Sequence, residues 1–177
     1  MGSSVGISKV QNKKCLIEAV TEALKFDRRI VVEQGIQAEE CEVAVLGNAD
    51  IHVSTVGHLV KKQDFYDYNE KYVNNTIEME IPAHLPENVI DQIQNYAKRA
   101  YLAIDGAGLA RADFFVTSNY EIYINELNTM PGFTQFSMYP SLWQATGLNY
   151  RDLIEELLQL AMTRYHARRQ LTQALID

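Results

Sequence analysis

Two strand-like stretches in succession, residues 110–116 and 121–128, constrain the fold more than any other part of the sequence. In an extended chain successive side chains point to opposite faces, so the order of polar and apolar residues assigns each side chain to a face. Ser118 and Asn119 lie between the two stretches and favour a tight turn. We therefore predict an antiparallel β-hairpin around which the rest of a sheet must be built.

The second of these strands changes character along one face. Alternation predicts that Ile122, Ile124, Glu126 and Asn128 point the same way, so that an apolar stripe ends in a carboxylate and an amide. One interpretation is a strand end that frays into solvent. The other is a functional site built where the strand ends.

The first strand favours the functional interpretation. Arg111 and Asp113 share one of its faces, and in an antiparallel hairpin Asp113 lies roughly opposite the segment that contains Glu126. Asp113, Glu126 and Asn128 offer oxygen ligands, which is the chemistry of Mg²⁺ bound with waters and nucleotide phosphates. Arg111 adds a fixed planar cation suited to a transferring phosphoryl group.

Other periodicities in the sequence predict a mixture of helices and strands. The predicted helices are 12–26, one that begins at Pro86 and one that begins near Asn149; the predicted strands are 29–36, 40–47, 51–60 and 77–81. The strands at 40–47 and 51–60 form a second hairpin across Gly47-Asn48. The predicted fold class is α+β, with a largely antiparallel sheet flanked by helices.

Composition and charge exclude some classes of binding partner. The 177 residues carry a formal charge of −7, which leaves no basic surplus for the phosphates of a nucleic acid. No apolar run approaches the roughly 18 residues of a membrane span. The two cysteines lack metal-ligand or disulfide spacing. We therefore expect a cytoplasmic protein with neither nucleic acid nor membrane among its partners.

Several motifs together resemble one family. The stretch "RADFF…EIYINELNTMPGFTQFSMYP" resembles the C-terminal signature of D-alanine–D-alanine ligases, members of the ATP-grasp superfamily. "GSSVGISKV" resembles the serine loop of that family, "VVEQGI" its adenine-contacting strand, and "FYDYNEKY" its mobile active-site loop. The last motif lies in the segment 61–76, whose length and lack of period are typical of a functional loop.

The resemblance implies an ATP-grasp fold and assigns roles to the polar residues of the hairpin. Asp113, Glu126 and Asn128 would hold two Mg²⁺ ions, or Mn²⁺ in their place, with Glu126 bridging. ATP would be the co-substrate. Glu33 would contact the adenine edge and Glu40 the ribose.

The same resemblance implies roles in phosphate and acyl-group binding. Ser4 would cradle phosphate, and Lys71 would reach the γ-phosphate. Arg111, with the backbone N–H of Gly132, would polarise the acyl group. The expected reaction is the ATP-dependent ligation of two D-alanines through an acyl phosphate, for peptidoglycan precursor synthesis.

The second D-alanine also has implied contacts. Its carboxylate would be held by Ser137 and the amide of Met138, while Ser3 and Tyr72 would orient the substrates. In the family a tyrosine at the position of Tyr72 goes with D-alanine as second substrate, and a phenylalanine goes with D-lactate.

Family chains are roughly twice as long. We expect residues 1–34 to be a remnant of the central ATP-grasp subdomain and 35–177 the C-terminal catalytic domain, without the N-terminal substrate domain. Such a fragment is expected to be inactive alone, and the family suggests a homodimer. Two alternatives remain open: another ATP-grasp carboxylate–amine ligase, and a non-catalytic nucleotide-binding or assembly module.

Overall fold

The computed structural model describes residues 5–60 and 78–173 of the chain. The described residues fall into two compact units, 5–37 in one and 38–60 with 78–173 in the other. The domain boundary expected between residues 34 and 35 stays a prediction. None of the helices in these ranges is both long and apolar enough to cross a membrane.

The smaller unit contains helix α1, Lys13–Ala23. Asn12 caps the helix: its side-chain oxygen accepts a hydrogen bond from the Cys15 amide at 3.0 Å. The strand predicted at 29–36 is wrong, because residues 29–36 have no regular secondary structure. Val31 and Val32 are 83% and 67% exposed, so in the described residues no neighbouring strand covers this apolar run.

The larger unit is built on five antiparallel strands. They are β1 (Glu39–Gly47), β2 (His52–Val60), β3 (Glu78–Glu80), β4 (Gly108–Val116) and β5 (Ile122–Asn128). Their order across the sheet is β3-β2-β1-β4-β5. Both predicted hairpins are confirmed, since β1 pairs with β2 and β4 pairs with β5 in antiparallel fashion.

Three helices cover the two faces of this sheet. They are α2 (Glu87–Ala103), α3 (Met138–Ala145) and α4 (Tyr150–Gln173). Helix α2 packs on one face through its buried residues, which include Ile93, Ala97 and Tyr101. Helices α3 and α4 pack on the other face, where Leu142 and Leu153 are fully buried. The α+β prediction is therefore confirmed, although α3 was not foreseen.

Strand β5 departs from simple alternation. Its register with β4 shifts between Asp113 and Phe114, so that Phe114 pairs with Ile124 and Asp113 pairs with Glu126. Asn125 is the extra residue of this bulge. The prediction that the two isoleucines share a face with Glu126 and Asn128 is consequently wrong: Ile122 packs against the core under α2, while Glu126 pairs with Asp113 on the opposite face.

Candidate active site

A row of three carboxylates crosses the sheet on the face that carries α3 and α4. Glu42 on β1 pairs directly with Asp113 on β4, and Asp113 pairs directly with Glu126 on β5. Residues that pair across antiparallel strands project from the same face, a few ångströms apart. In the next row Arg111 lies opposite Asn128. The sheet therefore brings together the four hairpin residues singled out in the sequence and adds Glu42 to them.

Arg111 is the centre of this group. It donates hydrogen bonds from Nε to Asp113 Oδ1 and from Nη2 to Asp113 Oδ2, both at 2.7 Å. Its Nε also lies 2.9 Å from Glu42 Oε2. The side chains of Glu42 and Arg111 are 7% and 18% exposed, so water contributes little to their solvation.

The carboxylates are crowded and poorly solvated. Burial, reinforced by repulsion from Asp113, raises the pKa of the Glu42 carboxyl from 4.5 to about 8, even though Arg111 opposes the shift. Burial also raises the pKa of Asp113, against the hydrogen bonds from Arg111. For Arg111, burial alone would lower the pKa, but the hydrogen bond to Asp113 and the charge of Glu42 outweigh it and raise the pKa.

This group is short of positive charge. Three carboxylates, Glu42, Asp113 and Glu126, act on the guanidinium of Arg111, which leaves two negative charges in excess when all are ionised. Glu42 Oε2 is buried and accepts no hydrogen bond within the described residues. A buried carboxylate oxygen without a donor is costly, and a bound cation would relieve the cost.

The donor set fits a hard cation such as Mg²⁺. Asp113, Glu126 and Asn128 supply oxygen ligands from the paired strands β4 and β5. In the described ranges no three His, Cys, Asp or Glu side chains are already grouped as a metal cage. Both oxygens of Asp113 instead accept hydrogen bonds from Arg111, while Asn128 Oδ1 accepts one from the Met130 amide at 3.1 Å.

The chain that follows β5 contains three further residues with predicted roles, Gly132, Ser137 and Met138. Gly132 is exposed, and a Cβ there would lie 3.3 Å from Ser137 Oγ. Ser137 precedes the first turn of α3, and its Oγ accepts a hydrogen bond from the Thr134 amide at 3.1 Å. Met138 is the first residue of α3, and its side chain is buried. Its backbone N–H lies at the helix N-terminus, where anions are favoured.

The remaining predicted residues are placed differently. Glu40 lies on the site face of β1, two residues before Glu42, with Phe115 as its partner on β4. Glu33 is exposed in the irregular stretch of the smaller unit. The last group, Ser3, Ser4, Lys71 and Tyr72, lies outside the described residues.

Glu42 is the site residue that sequence reasoning missed. A usable signal was present, because Glu42 alternates with Ala44 and Leu46, two apolar residues that are buried under α3. A carboxylate on an apolar face next to Asp113 would have been recognised if the pairing of β1 with β4 had been known. The sequence itself specifies hairpins more directly than this long-range pairing.

Comparison with known proteins agrees with the motifs. The sequence profile of the family described as "D-ala D-ala ligase C-terminus" matches residues 1–159. The chain belongs to this family. Thus the resemblance drawn from the sequence motifs, and with it the α+β fold of the ATP-grasp type, is confirmed.

The relatives that match this D-Ala–D-Ala ligase C-terminal region are longer proteins. A D-alanine–D-alanine ligase of Enterococcus faecalis is 62% identical over 165 residues, which are 93% of this chain and 47% of that protein. The solved D-alanine–D-alanine ligase of Coxiella burnetii is 35% identical, with a TM-score of 0.86 over 98% of this chain and 46% of that one. The chain spans about half the length of the relatives it matches.

A third comparison concerns a different substrate. The VanG D-Ala:D-Ser ligase of Enterococcus faecalis is 36% identical, with a TM-score of 0.81 over 90% of this chain and 46% of that chain. A protein named for D-serine thus shares the fold. The fold alone therefore does not fix the second amino acid.

Proposed function

We propose that this chain is the catalytic C-terminal part of an enzyme that ligates two D-alanines at the expense of ATP. The observation that carries the proposal is the pairing of Asp113 with Glu126 and of Arg111 with Asn128 on one face of the sheet. The pairing brings two carboxylates, an amide and a guanidinium side by side in a member of the D-Ala–D-Ala ligase family, which supports a role for them in metal and substrate binding. The product would serve peptidoglycan precursor synthesis in the cytoplasm.

The chemistry requires activation of a carboxylate. A carboxylate oxygen of the first D-alanine attacks the γ-phosphorus of ATP, giving an acyl phosphate and releasing ADP. The amine of the second D-alanine then attacks the acyl carbon, phosphate leaves, and the amine loses a proton. Negative charge develops on the acyl oxygen in this second step, and Arg111 with the N–H of Gly132 would stabilise it.

Asp113, Glu126 and Asn128 would hold the divalent ions. Bound there, Mg²⁺ or Mn²⁺ would neutralise the triphosphate. The excess negative charge around Arg111 supports this assignment, since it is what a cation would offset. Two ions with Glu126 as the bridging ligand remain part of the proposal.

The start of α3 would hold the second D-alanine. Its carboxylate would bind Ser137 and the Met138 amide, because the positive end of the helix dipole favours an anion. Tyr72 and Ser3 would orient the two amino acids, and Tyr72 would select D-alanine. Glu33, Glu40, Ser4 and Lys71 would bind ATP; these assignments are carried over from the family motifs.

The deciding experiment is a complementation assay. We expect this chain alone to show no D-alanine-dependent release of phosphate from Mg·ATP, and we expect turnover when the remaining part of the Enterococcus faecalis relative is added as a separate polypeptide. Replacing Arg111 with alanine should lower the complemented rate by about 10²–10³-fold, as for a lost oxyanion donor. Glu39→Gln, on the opposite face of β1, is the matched control and should leave the rate unchanged.

Each outcome separates the candidate functions. Turnover with D-alanine supports the ligase, and D-serine or D-lactate in its place tests the role of Tyr72. Turnover only with another carboxylate and amine pair would identify a different ATP-grasp ligase. Binding of Mg·ATP without turnover in any mixture would overturn the proposal in favour of a nucleotide-binding module. The proposed homodimer is tested separately by light scattering.

A further inference from the structure

Arg111 lies between two carboxylates that reach it from different strands. Asp113, on the same strand, accepts two hydrogen bonds from it, while Glu42 on β1 contacts its Nε at 2.9 Å without receiving a hydrogen bond. Within the described residues these two are the carboxylates closer than 4 Å to the guanidinium. The hydrogen on Nε is already donated to Asp113, which explains why Glu42 Oε2 is left without one.

Asp113 cannot keep both hydrogen bonds from Arg111 at full strength while it coordinates a cation. Both of its oxygens accept hydrogen bonds from Arg111, and a cation coordinated by either oxygen would draw charge from the same carboxylate and repel the guanidinium. Coordination would therefore weaken or break at least one of these hydrogen bonds. The guanidinium would then need another acceptor, and its limited exposure of 18% restricts what water can supply.

Glu42 is placed to be that acceptor. Its backbone is fixed by the sheet, because β1 has β2 on one side and β4 on the other. Its Oε2 is already at hydrogen-bonding distance from Arg111 Nε, so the hydrogen bond can pass from Asp113 to Glu42 with little movement.

We infer that Glu42 is a positioning residue, which holds the Arg111 guanidinium over the sheet when Asp113 turns to a cation. Only one part of the inference rests on the proposed function: the reason for Asp113 to turn away, which is the coordination of a cation. The holding itself is a property of this chain and needs no substrate. It gives a role to a carboxylate that is buried on β1 beside Ala44 and Leu46.

The test removes Asp113 and follows Arg111 directly. In protein labelled with ¹⁵N-arginine, relaxation of the Arg111 Nε–H group reports whether the guanidinium is fixed. In Asp113→Ala we expect an order parameter near the value of about 0.85 that rigid backbone groups show, and in Asp113→Ala with Glu42→Leu, which leaves neither carboxylate as an acceptor, a fall below about 0.6. Glu39→Gln is the control. Glu39 is also on β1, but it projects from the face opposite to Glu42, so the substitution should leave Arg111 fixed.

The outcomes are decisive without enzymatic activity. Release of Arg111 in Asp113→Ala alone overturns the inference, even if the double variant does not fold, because Glu42 is then present and fails to hold it. An Arg111 that stays fixed in the double variant also overturns it. Since no substrate or metal is needed, a negative complementation assay would reject the proposed function and leave this result unaffected.

Discussion

At the scale of single residues, two buried tyrosine hydroxyls tie the helices of both layers to β1. Tyr101 on α2 donates to the carbonyl of Gly47 at 2.9 Å, and Tyr139 on α3 donates to the carbonyl of Val45 at 3.0 Å. Both side chains are fully buried, and burial raises the pKa of Tyr101 to about 12 and that of Tyr139 as well. Both hydroxyls therefore keep their protons and act as donors at any physiological pH.

Replacing Tyr139 with phenylalanine removes one of these ties and little else. The Val45 carbonyl loses a buried donor, so the free energy of unfolding should fall by about 1–3 kcal/mol. Urea unfolding followed by circular dichroism measures the change. Tyr123→Phe, at a position 42% exposed on β5, is the matched control and should stay within about 0.5 kcal/mol of the parent chain. Equal losses in the two variants would contradict the role given to the hydrogen bond.

Residue-level prediction succeeded where the information was local. The hairpin and its turn predicted Asp113 roughly opposite the segment that contains Glu126, and the structure confirms this, although the direct pairing of the two residues depends on the bulge at Asn125. Glu42 was missed because its role depends on the pairing of β1 with β4, in which its partner Asp113 lies 71 residues further along the chain. What a side chain faces across such a distance is not encoded in its neighbours along the sequence.

At the scale of elements, the β1–β2 hairpin depends on one glycine. Gly47 ends β1 with φ +137°, and a Cβ built there would lie 1.9 Å from the Asp50 carbonyl oxygen.

The hairpins were predictable from the sequence because turn residues mark them. The strand expected at 29–36 was wrong because an apolar run becomes a strand only beside a partner strand. The bulge at Asn125 has no comparable sequence signal, and it reverses the expected faces of Ile122 and Ile124.

The Gly47→Ala substitution should disrupt this hairpin. Backbone strain and steric overlap each cost about 1–3 kcal/mol, so we expect a combined loss of roughly 2–6 kcal/mol in unfolding free energy. Gly108→Ala is the matched control, because Gly108 has φ +83° but no atom within 4 Å of the added Cβ. It should therefore lose only the strain, and urea unfolding compares the two. A loss for Gly47→Ala no larger than that for Gly108→Ala would show that the overlap is relieved by movement of the turn.

At the scale of the whole molecule, the charge distribution matters more than the total. The chain has a formal charge of −7, and Glu42, Asp113 and Glu126 concentrate part of it beside Arg111. Such crowding costs folding energy, and ionisable groups perturbed in this way cluster at functional sites. The sequence predicted the oxygen-rich site, but the energetic consequence became visible only when burial and the third carboxylate were known.

This crowding should make the stability of the chain depend on pH and on divalent cations. The pKa of Glu42 is about 8 in the folded chain and ordinarily 4.5, so between these values the folded state keeps a proton that the unfolded state has released. Stability should therefore fall as pH rises from about 5 to about 8, because protons bind the folded state more strongly. Millimolar Mg²⁺ should restore part of the loss of stability near pH 8 by neutralising the carboxylates.

Thermal unfolding at a series of pH values, in EDTA and in Mg²⁺, measures both effects. Glu42→Gln removes the titrating group, and the difference between it and the parent chain cancels the contribution of histidines. The expected result is a shallower pH dependence in Glu42→Gln; curves that remain parallel would show that Glu42 is already ionised beside Arg111.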